Sequence, residues 1–92
     1  MTEPVTRTLT IVNEKGLHAR ASAKLVELVE GFDADAVVSK DGVAASADSI
    51  MGLLMLIAAK GSTVTVTTTG QQADTLAEAI EELVASRFGE DA

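Results

Sequence analysis

Apolar and polar residues alternate with a period of two in residues 5–12 and again in residues 63–68. In the first segment Leu9 and Ile11 lie opposite the intervening threonines, and in the second the valines lie opposite the threonines. β-branched residues in this pattern are typical of a strand with one buried face. We therefore predict two strands whose valine, leucine and isoleucine side chains point inward and whose threonines face water.

Two shorter apolar segments, residues 36–39 and 43–46, are predicted to pair as a hairpin. The sequence Lys40-Asp41-Gly42 joins them. Asp-Gly is a strong signal for a tight turn between antiparallel strands, because both residues tolerate a positive φ.

The remaining segments have the apolar period of amphipathic helices. The first helix is predicted to start at Ala19 and to stop at Gly31, since glycine commonly follows a helix. The second covers residues 49–59, with Asp48 or Ser49 as its N-cap. The third starts at Ala73 and has a stripe of residues predicted to face the core. This stripe contains Ala73, Leu76, Ala77, Ile80, Leu83, Val84 and Arg87.

The predicted order of elements is strand, helix, strand, strand, helix, strand, helix. The threonine faces leave one side of the sheet to water, whereas a parallel sheet needs both sides covered. We therefore predict an α+β open-faced sandwich, in which a four-stranded, mostly antiparallel sheet carries three helices on one face. At 92 residues, the whole chain (residues 1–92) is predicted to form a single domain.

Composition and charge exclude several classes of function. The chain has no cysteine and one histidine, so we expect no disulfide, no metal site and no cofactor. A formal net charge of −7 disfavours nucleic acid as a partner. The N-terminal sequence Met1-Thr2-Glu3-Pro4 lacks the features of a signal peptide, and no apolar run is long enough to span a bilayer. A cytoplasmic protein without a membrane partner is expected.

His18, the only histidine, lies at the predicted start of the first helix and two residues before Arg20. The first helical turn, with the backbone N–H groups of Ala19 and Arg20, forms a natural anion site. The Arg20 guanidinium suits phosphate, and the positive surroundings favour a neutral ring with a free lone pair. These residues are chemically suited to a phosphorylatable histidine held by a phosphate clamp. The simpler alternative is a capping or surface histidine.

Two segments, NEKGLHARAS (residues 13–22) and DSIMGLLML (residues 48–56), resemble the histidine-containing phosphocarrier (HPr) family of the phosphoenolpyruvate-dependent phosphotransferase system. The resemblance covers nearly the whole chain. It implies that enzyme I phosphorylates His18 on Nδ1, that Arg20 is the clamping arginine, and that an enzyme IIA protein accepts the group. Such a protein is a stoichiometric carrier and not an enzyme.

The chain departs from the family pattern directly after the motif arginine. Many members have proline and alanine there, where this chain has Ala21 and Ser22. Proline in a first turn helps a helix but is not needed for the chemistry, so the change bears on partners and not on the carrier role. The segment EGFDA, and LLML followed by AKG, resemble the nitrogen-related branch of the family, and the sugar-transport and nitrogen-related branches both stay open.

The second helix is apolar on almost all sides, so part of it is expected to be exposed. The predicted core residues are Leu53, Leu56 and Ile57. The resemblance assigns others to a surface for docking partners, namely Ile50, Met51 and Leu54. Lys15, Arg20 and Lys24 form a basic cluster near His18, in a chain whose last part is acidic. This cluster, with Lys24 as a docking residue, would steer acidic partner surfaces.

Ser49-Ile50-Met51-Gly52 matches a family motif whose serine is phosphorylated by a regulatory kinase, HPr kinase/phosphorylase. A phosphate there suits the helix dipole and places negative charge in the docking surface, so it would slow transfer through His18. Helix capping by Ser49 is the structural alternative. The alternative function is a non-transferring regulatory module of the same fold, against which His18 argues. We expect a monomer, because an obligate dimer would compete for the docking surface.

Overall fold

A four-stranded antiparallel sheet and three helices form the fold in the computed structural model, which describes residues 3–92. The strands are β1 (Val5–Thr10), β2 (Asp35–Lys40), β3 (Val43–Ser46) and β4 (Thr63–Thr69). The helices are α1 (Ala19–Glu30), α2 (Ile50–Leu54) and α3 (Ala73–Ala85). The strand order is β1-β4-β2-β3, and each neighbouring pair is antiparallel. The predicted α+β sandwich is confirmed.

Residues 1 and 2, which belong to the N-terminal segment without signal-peptide features, lie outside the residues that the structure describes. Within residues 3–92, no helix has the length and apolar character needed to cross a membrane.

The sheet buries one face, as the alternation of residues predicts. Leu9 and Ile11 are buried, and so are Val64 and Val66 on the neighbouring strand β4. Thr68 differs from the prediction, because it shares the inward face of these valines and is fully buried. Its Oγ1 donates a hydrogen bond to the carbonyl oxygen of Ala73 at 2.7 Å, which satisfies the hydroxyl inside the core.

The turn between β2 and β3 has the geometry that Asp-Gly predicts. Asp41 and Gly42 both have positive φ, at 50° and 81°, and Lys40 pairs with Val43 on either side of them. Two successive residues with positive φ match the twist of the flanking strands.

Helix α2 is shorter than predicted, because it ends at Leu54 and not near Ala59. Leu53 and Leu56 are buried as predicted, but the predicted core position of Ile57 is wrong. Ile57 has a φ of 51° and is 79% exposed, so the chain leaves the helix before it. The next residue, Ala58, uses its carbonyl oxygen to accept the N–H of Leu17 at 2.9 Å, which ties this segment to the loop before α1.

The chain reverses direction after α3 in a short 3-10 turn, Arg87–Gly89. Arg87 and Phe88 have positive φ values of 59° and 54°. This backbone conformation turns Phe88 into the core, where it is 1% exposed. The prediction that Arg87 belongs to the buried stripe of α3 is therefore wrong, since Arg87 is exposed and Phe88 takes the core position.

Candidate functional site

The loop before α1 is held against the segment that follows α2. Gly16 has a φ of 66°, and a Cβ atom there would lie 2.5 Å from the Ala58 carbonyl oxygen and 2.9 Å from Ala59 Cα. Only glycine allows both this backbone conformation and this close approach. Together with the Leu17 N–H bond to Ala58, the contact fixes the backbone from which His18 projects.

His18 is the N-cap of α1, as its position in the sequence predicts. Its backbone is extended, and its carbonyl oxygen accepts the first helical N–H, that of Ser22, at 2.8 Å. The N–H groups of Ala19, Arg20 and Ala21 therefore precede the helical ladder. The ring nitrogen Nδ1 accepts the Arg20 N–H at 3.3 Å, so an imidazole replaces the usual hydroxyl or carboxylate cap.

The other ring nitrogen faces a carboxylate from the far end of the chain. Nε2 of His18 lies 2.6 Å from Oε2 of Glu90. A carboxylate only accepts hydrogen bonds, so Nε2 carries a proton. Nδ1 accepts a hydrogen bond from Arg20, so it carries the lone pair. These two partners therefore assign one tautomer of the neutral ring, with Nδ1 as its nucleophilic atom.

Asn13 holds the Glu90 carboxylate in place. This fully buried side chain donates through Nδ2 to Oε1 of Glu90 at 3.0 Å and to the Gly16 carbonyl oxygen at 2.8 Å. The same amide thus links the loop before α1 to the C-terminal segment. Because the two oxygens of Glu90 bind different partners, the carboxylate is oriented from both sides.

Sequence reasoning missed both Glu90 and Asn13 as site residues. The expectation that the ring has purely positive surroundings is wrong, because a carboxylate lies against Nε2. Glu90 is 72 residues from His18 along the chain, and no local pattern joins them. The available signal was Phe88, an apolar residue beyond the predicted helix that could anchor a short acidic segment.

A cavity of about 480 Å³ opens beside the ring. It brings together the three residues predicted to bind phosphate, namely His18, Ala19 and Arg20. Its other lining residues are Glu14, Lys15, Glu90, Asp91 and Ala92. The cavity therefore combines two cationic side chains and the start of a helix, which suit an anion, with the Glu90 carboxylate, which lies against Nε2 of the ring.

The predicted docking residues differ in exposure. Ile50 is 39% and Met51 is 70% exposed, whereas Leu54 is half-buried. Exposed apolar residues continue beyond the helix as Met55 and Ile57, which the sequence did not assign to this surface. We call the five residues Ile50, Met51, Leu54, Met55 and Ile57 the apolar surface. A smaller cavity of about 200 Å³ is lined by both Ile57 and His18, so this surface borders the ring.

The basic cluster is only partly gathered at the site. Lys15 and Arg20 line the large cavity with His18. Lys24 is half-buried, and its Nζ donates to the carbonyl oxygen of Phe88 at 2.6 Å. The Lys24 ammonium thus binds the C-terminal segment within the chain.

Ser49 caps α2, as predicted. Its Oγ accepts the Gly52 N–H at 3.0 Å. A Cβ atom on Gly52 would lie 3.2 Å from that Oγ and 3.3 Å from Cβ of Ala45, so glycine leaves room for the cap against β3. Ser49 lines neither of the two cavities beside the ring.

Acid should release Glu90 from its two partners. The hydrogen bond from Asn13, and then that from His18, lower the pKa of Glu90 from its ordinary value of 4.5. A carboxyl group whose pKa is lowered by folding stabilises the fold above its unfolded pKa, and this contribution is lost as the pH falls through the folded value. We expect the side-chain carboxyl ¹³C resonance of Glu90 to titrate below pH 4.5. In Asn13→Ala it should titrate closer to the ordinary value, and a parent titration at or above that value would contradict the contact.

Comparisons with known proteins give the family of the chain. The family model described as "PTS HPr component phosphorylation site" matches residues 5–86. The phosphocarrier protein HPr of Cupriavidus necator is 48% identical over 84 residues, which cover 91% of this chain and 94% of that protein. The phosphocarrier protein NPr of Escherichia coli K12 is 43% identical over 88 residues, covering 95% of this chain and 98% of that protein.

A solved structure agrees with the sequence relatives. The crystal structure of HPr-C-His from Thermoanaerobacter tengcongensis has a TM-score of 0.89 and 33% sequence identity, and the match covers 99% of this chain and 100% of that chain. The sheet order and helices described above are thus those of a solved HPr. The chain belongs to the HPr family of phosphocarrier proteins of the phosphotransferase system, whose members carry phosphoryl groups and are not enzymes.

Proposed function

We propose that this chain accepts a phosphoryl group from phospho-enzyme I on Nδ1 of His18 and passes it to an enzyme IIA protein. The observation that carries the proposal is the pair of contacts made by the two ring nitrogens, from which the tautomer follows. Because the Nε2 proton is directed at Glu90, the lone pair is on Nδ1, on the side of the Arg20 N–H. A neutral imidazole with an accessible lone pair is a competent nucleophile toward phosphorus.

In the proposed transfer, the bond between phosphorus and the donor nitrogen breaks while a bond from phosphorus to Nδ1 forms. The backbone nitrogen of Arg20 lies 3.3 Å from Nδ1, which is longer than an ordinary N–H hydrogen bond. Little free energy is therefore lost when this hydrogen bond breaks. That N–H and the N–H of Ala19 can then donate to phosphoryl oxygens, and the exposed Arg20 guanidinium can pair with them. The reverse sequence delivers the group to the acceptor.

The apolar surface is proposed to dock both partners next to His18. An exposed patch with two methionines adapts to several partner surfaces, and Lys15 and Arg20 at its side favour acidic ones. A second copy bound there would block the partners, so we propose that the chain, as a single domain, works as a monomer. We propose the cytoplasm as its location, because a chain without cysteine needs no oxidising compartment.

The proposed transfer is tested with purified enzyme I and labelled phosphoenolpyruvate. The chain should gain one phosphoryl group that is lost in acid and retained in base, and ³¹P–¹⁵N coupling should place it on Nδ1. The relatives include both HPr and NPr proteins, so the labelled chain is then mixed with IIA proteins of the sugar and nitrogen-related branches. Failure to take up label, or label on Nε2, contradicts the proposal.

We propose that phosphorylation of Ser49 slows transfer through His18. Ser49→Asp, which places negative charge at the same position, should slow phosphoryl transfer from enzyme I on the order of tenfold, equivalent to about 1.4 kcal/mol in the encounter. Aspartate is a good N-cap, so α2 should keep its structure. Its charge, however, would stand beside Ile50 and Met51, where partner binding removes water. Transfer rates measured at several concentrations of the chain should show that the slower transfer in Ser49→Asp results from weaker binding to enzyme I.

The matched control is Thr75→Asp, which adds the same charge in the exposed first turn of α3. About 15 Å of helix separates Thr75 from the end of α3 that leads to the site. Its transfer rate should equal that of the parent. An unchanged rate in Ser49→Asp as well would remove the proposed regulatory role of Ser49 phosphorylation by a kinase of the HPr kinase/phosphorylase type.

A further inference from the structure

The C-terminal segment that carries Glu90 is fixed independently of the ring that Glu90 contacts. Phe88 is buried, and its carbonyl oxygen accepts the Lys24 Nζ at 2.6 Å. The carbonyl oxygen of Ala92 accepts the Glu14 N–H at 3.1 Å. With Asn13 donating to its Oε1, the Glu90 carboxylate would stay opposite Nε2 if the ring changed its chemical state.

The ring changes its chemical state when it is phosphorylated. Attack by Nδ1 of the neutral ring forms the nitrogen–phosphorus bond while the Nε2 proton stays where it was, so the product is a cationic phosphoimidazolium. When the group leaves again, the departing ring is a neutral imidazole, which is a good leaving group. If Nε2 first lost its proton, the leaving group would be an imidazolide anion, and transfer would be slow.

The position of Glu90 bears directly on this proton. Its Oε2 lies 2.6 Å from Nε2, and its side chain is only 17% exposed, which strengthens a charge-assisted hydrogen bond. A fixed carboxylate there favours the protonated, cationic form of the phosphorylated ring. We propose that Glu90 is a positioning residue that keeps the Nε2 proton on phosphorylated His18 and so keeps the phosphoryl group transferable at neutral and mildly alkaline pH. This inference rests on the phosphocarrier function proposed above.

Other charged groups line the same cavity, and the experiment must distinguish their effects on the ring from the effect of Glu90. The cations are Lys15 and Arg20, and the remaining anionic side chains are Glu14 and Asp91. Glu14 is paired with Lys60 at 3.1 Å. Among the carboxylates of residues 3–92, only that of Glu90 hydrogen-bonds to the ring. Glu90→Gln removes one negative charge, and its one amide oxygen can still accept from Nε2–H of His18, while its NH2 group then faces Asn13 and cannot accept the Nδ2 hydrogen bond.

The decisive experiment follows the loss of the phosphoryl group from labelled parent, Glu90→Gln and Asp91→Asn proteins as a function of pH. Asp91→Asn is the matched control, because it removes the same charge from the same cavity without touching the ring. Transfer to a IIA protein and spontaneous hydrolysis should both slow as the pH rises. In Glu90→Gln we expect this decline at a pH about one unit lower than in the parent. At a mildly alkaline pH this corresponds to about tenfold slower transfer. Parent and Asp91→Asn should share one profile.

Two results would overturn the inference, and a third separates it from the proposed function. Identical pH profiles for Glu90→Gln and Asp91→Asn would remove the special role of Glu90. A uniform loss of rate in Glu90→Gln at every pH, without a displaced profile, would make Glu90 a merely structural contact. If the parent itself takes up no label from enzyme I, it is the proposed carrier function that has failed.

Discussion

His18→Asn should take up no phosphoryl group from enzyme I, and its stability should stay within about 1 kcal/mol of that of the parent, because a better N-cap offsets the lost hydrogen bond between Nε2 and Glu90. The two expectations have separate causes. Asparagine is among the best N-cap residues, and its side-chain oxygen can accept the Arg20 N–H that Nδ1 accepts now. It has no nucleophilic nitrogen, so the chemistry is lost while the helix start is kept. Labelling with phosphoenolpyruvate and urea unfolding measure the two effects on one sample.

His18→Ala is the companion variant, since it removes the nucleophile and the cap together. It should also take up no label, and it should be about 1 kcal/mol less stable than His18→Asn, because its Arg20 N–H has no acceptor. The chain contains one histidine, so no second imidazole can substitute. Acid-labile label on His18→Asn would mean that another side chain is the acceptor and that the ring geometry described here is not the active arrangement.

The elements that sequence predicts well are those decided by near neighbours. The period of two places Leu9 and Val66 on one face of the sheet, and Asp41-Gly42 forms the expected turn because both residues accept positive φ. The position of His18 at the start of α1 follows from the change in apolar period after Gly16. Each of these outcomes depends on interactions within a few residues, which the local pattern contains.

The features that sequence did not predict are decided by distant contacts. Ile57 continues an apolar run, yet the helix ends before it because Ala58 must reach Leu17. Thr68 is buried because Ala73 provides an acceptor for its hydroxyl. Glu90 reaches His18 only because positive φ at successive residues turns the chain back after α3. Half of the candidate site, the clamp at the start of α1, was therefore accessible from sequence, and the carboxylate half was not.

Phe88→Ala should lower the free energy of unfolding by about 3–5 kcal/mol. Phe88 is one of the largest fully buried side chains, and its removal leaves a cavity that helices and sheet can only partly close. Total stabilities of small domains are about 5–15 kcal/mol, so the variant should show a large shift of its urea midpoint. Phe88→Leu, which keeps most of the apolar contact, should lose about half as much or less.

Phe32→Ala is the matched control for this loss, because Phe32 is only half-buried and should cost clearly less when truncated. Truncating the two phenylalanines should also have different effects on the His18 imidazole ring. Phe88 anchors the segment that brings Glu90 to Nε2, so Phe88→Ala, studied under conditions where it is folded, should change the ¹⁵N resonances of the His18 ring. Phe32→Ala should leave them unchanged. Unchanged ring resonances in Phe88→Ala would mean that Asn13 alone holds the carboxylate and that the core does not position the site. Changed resonances would make the packing of one aromatic side chain a condition for the tautomer on which the proposed phosphoryl transfer depends.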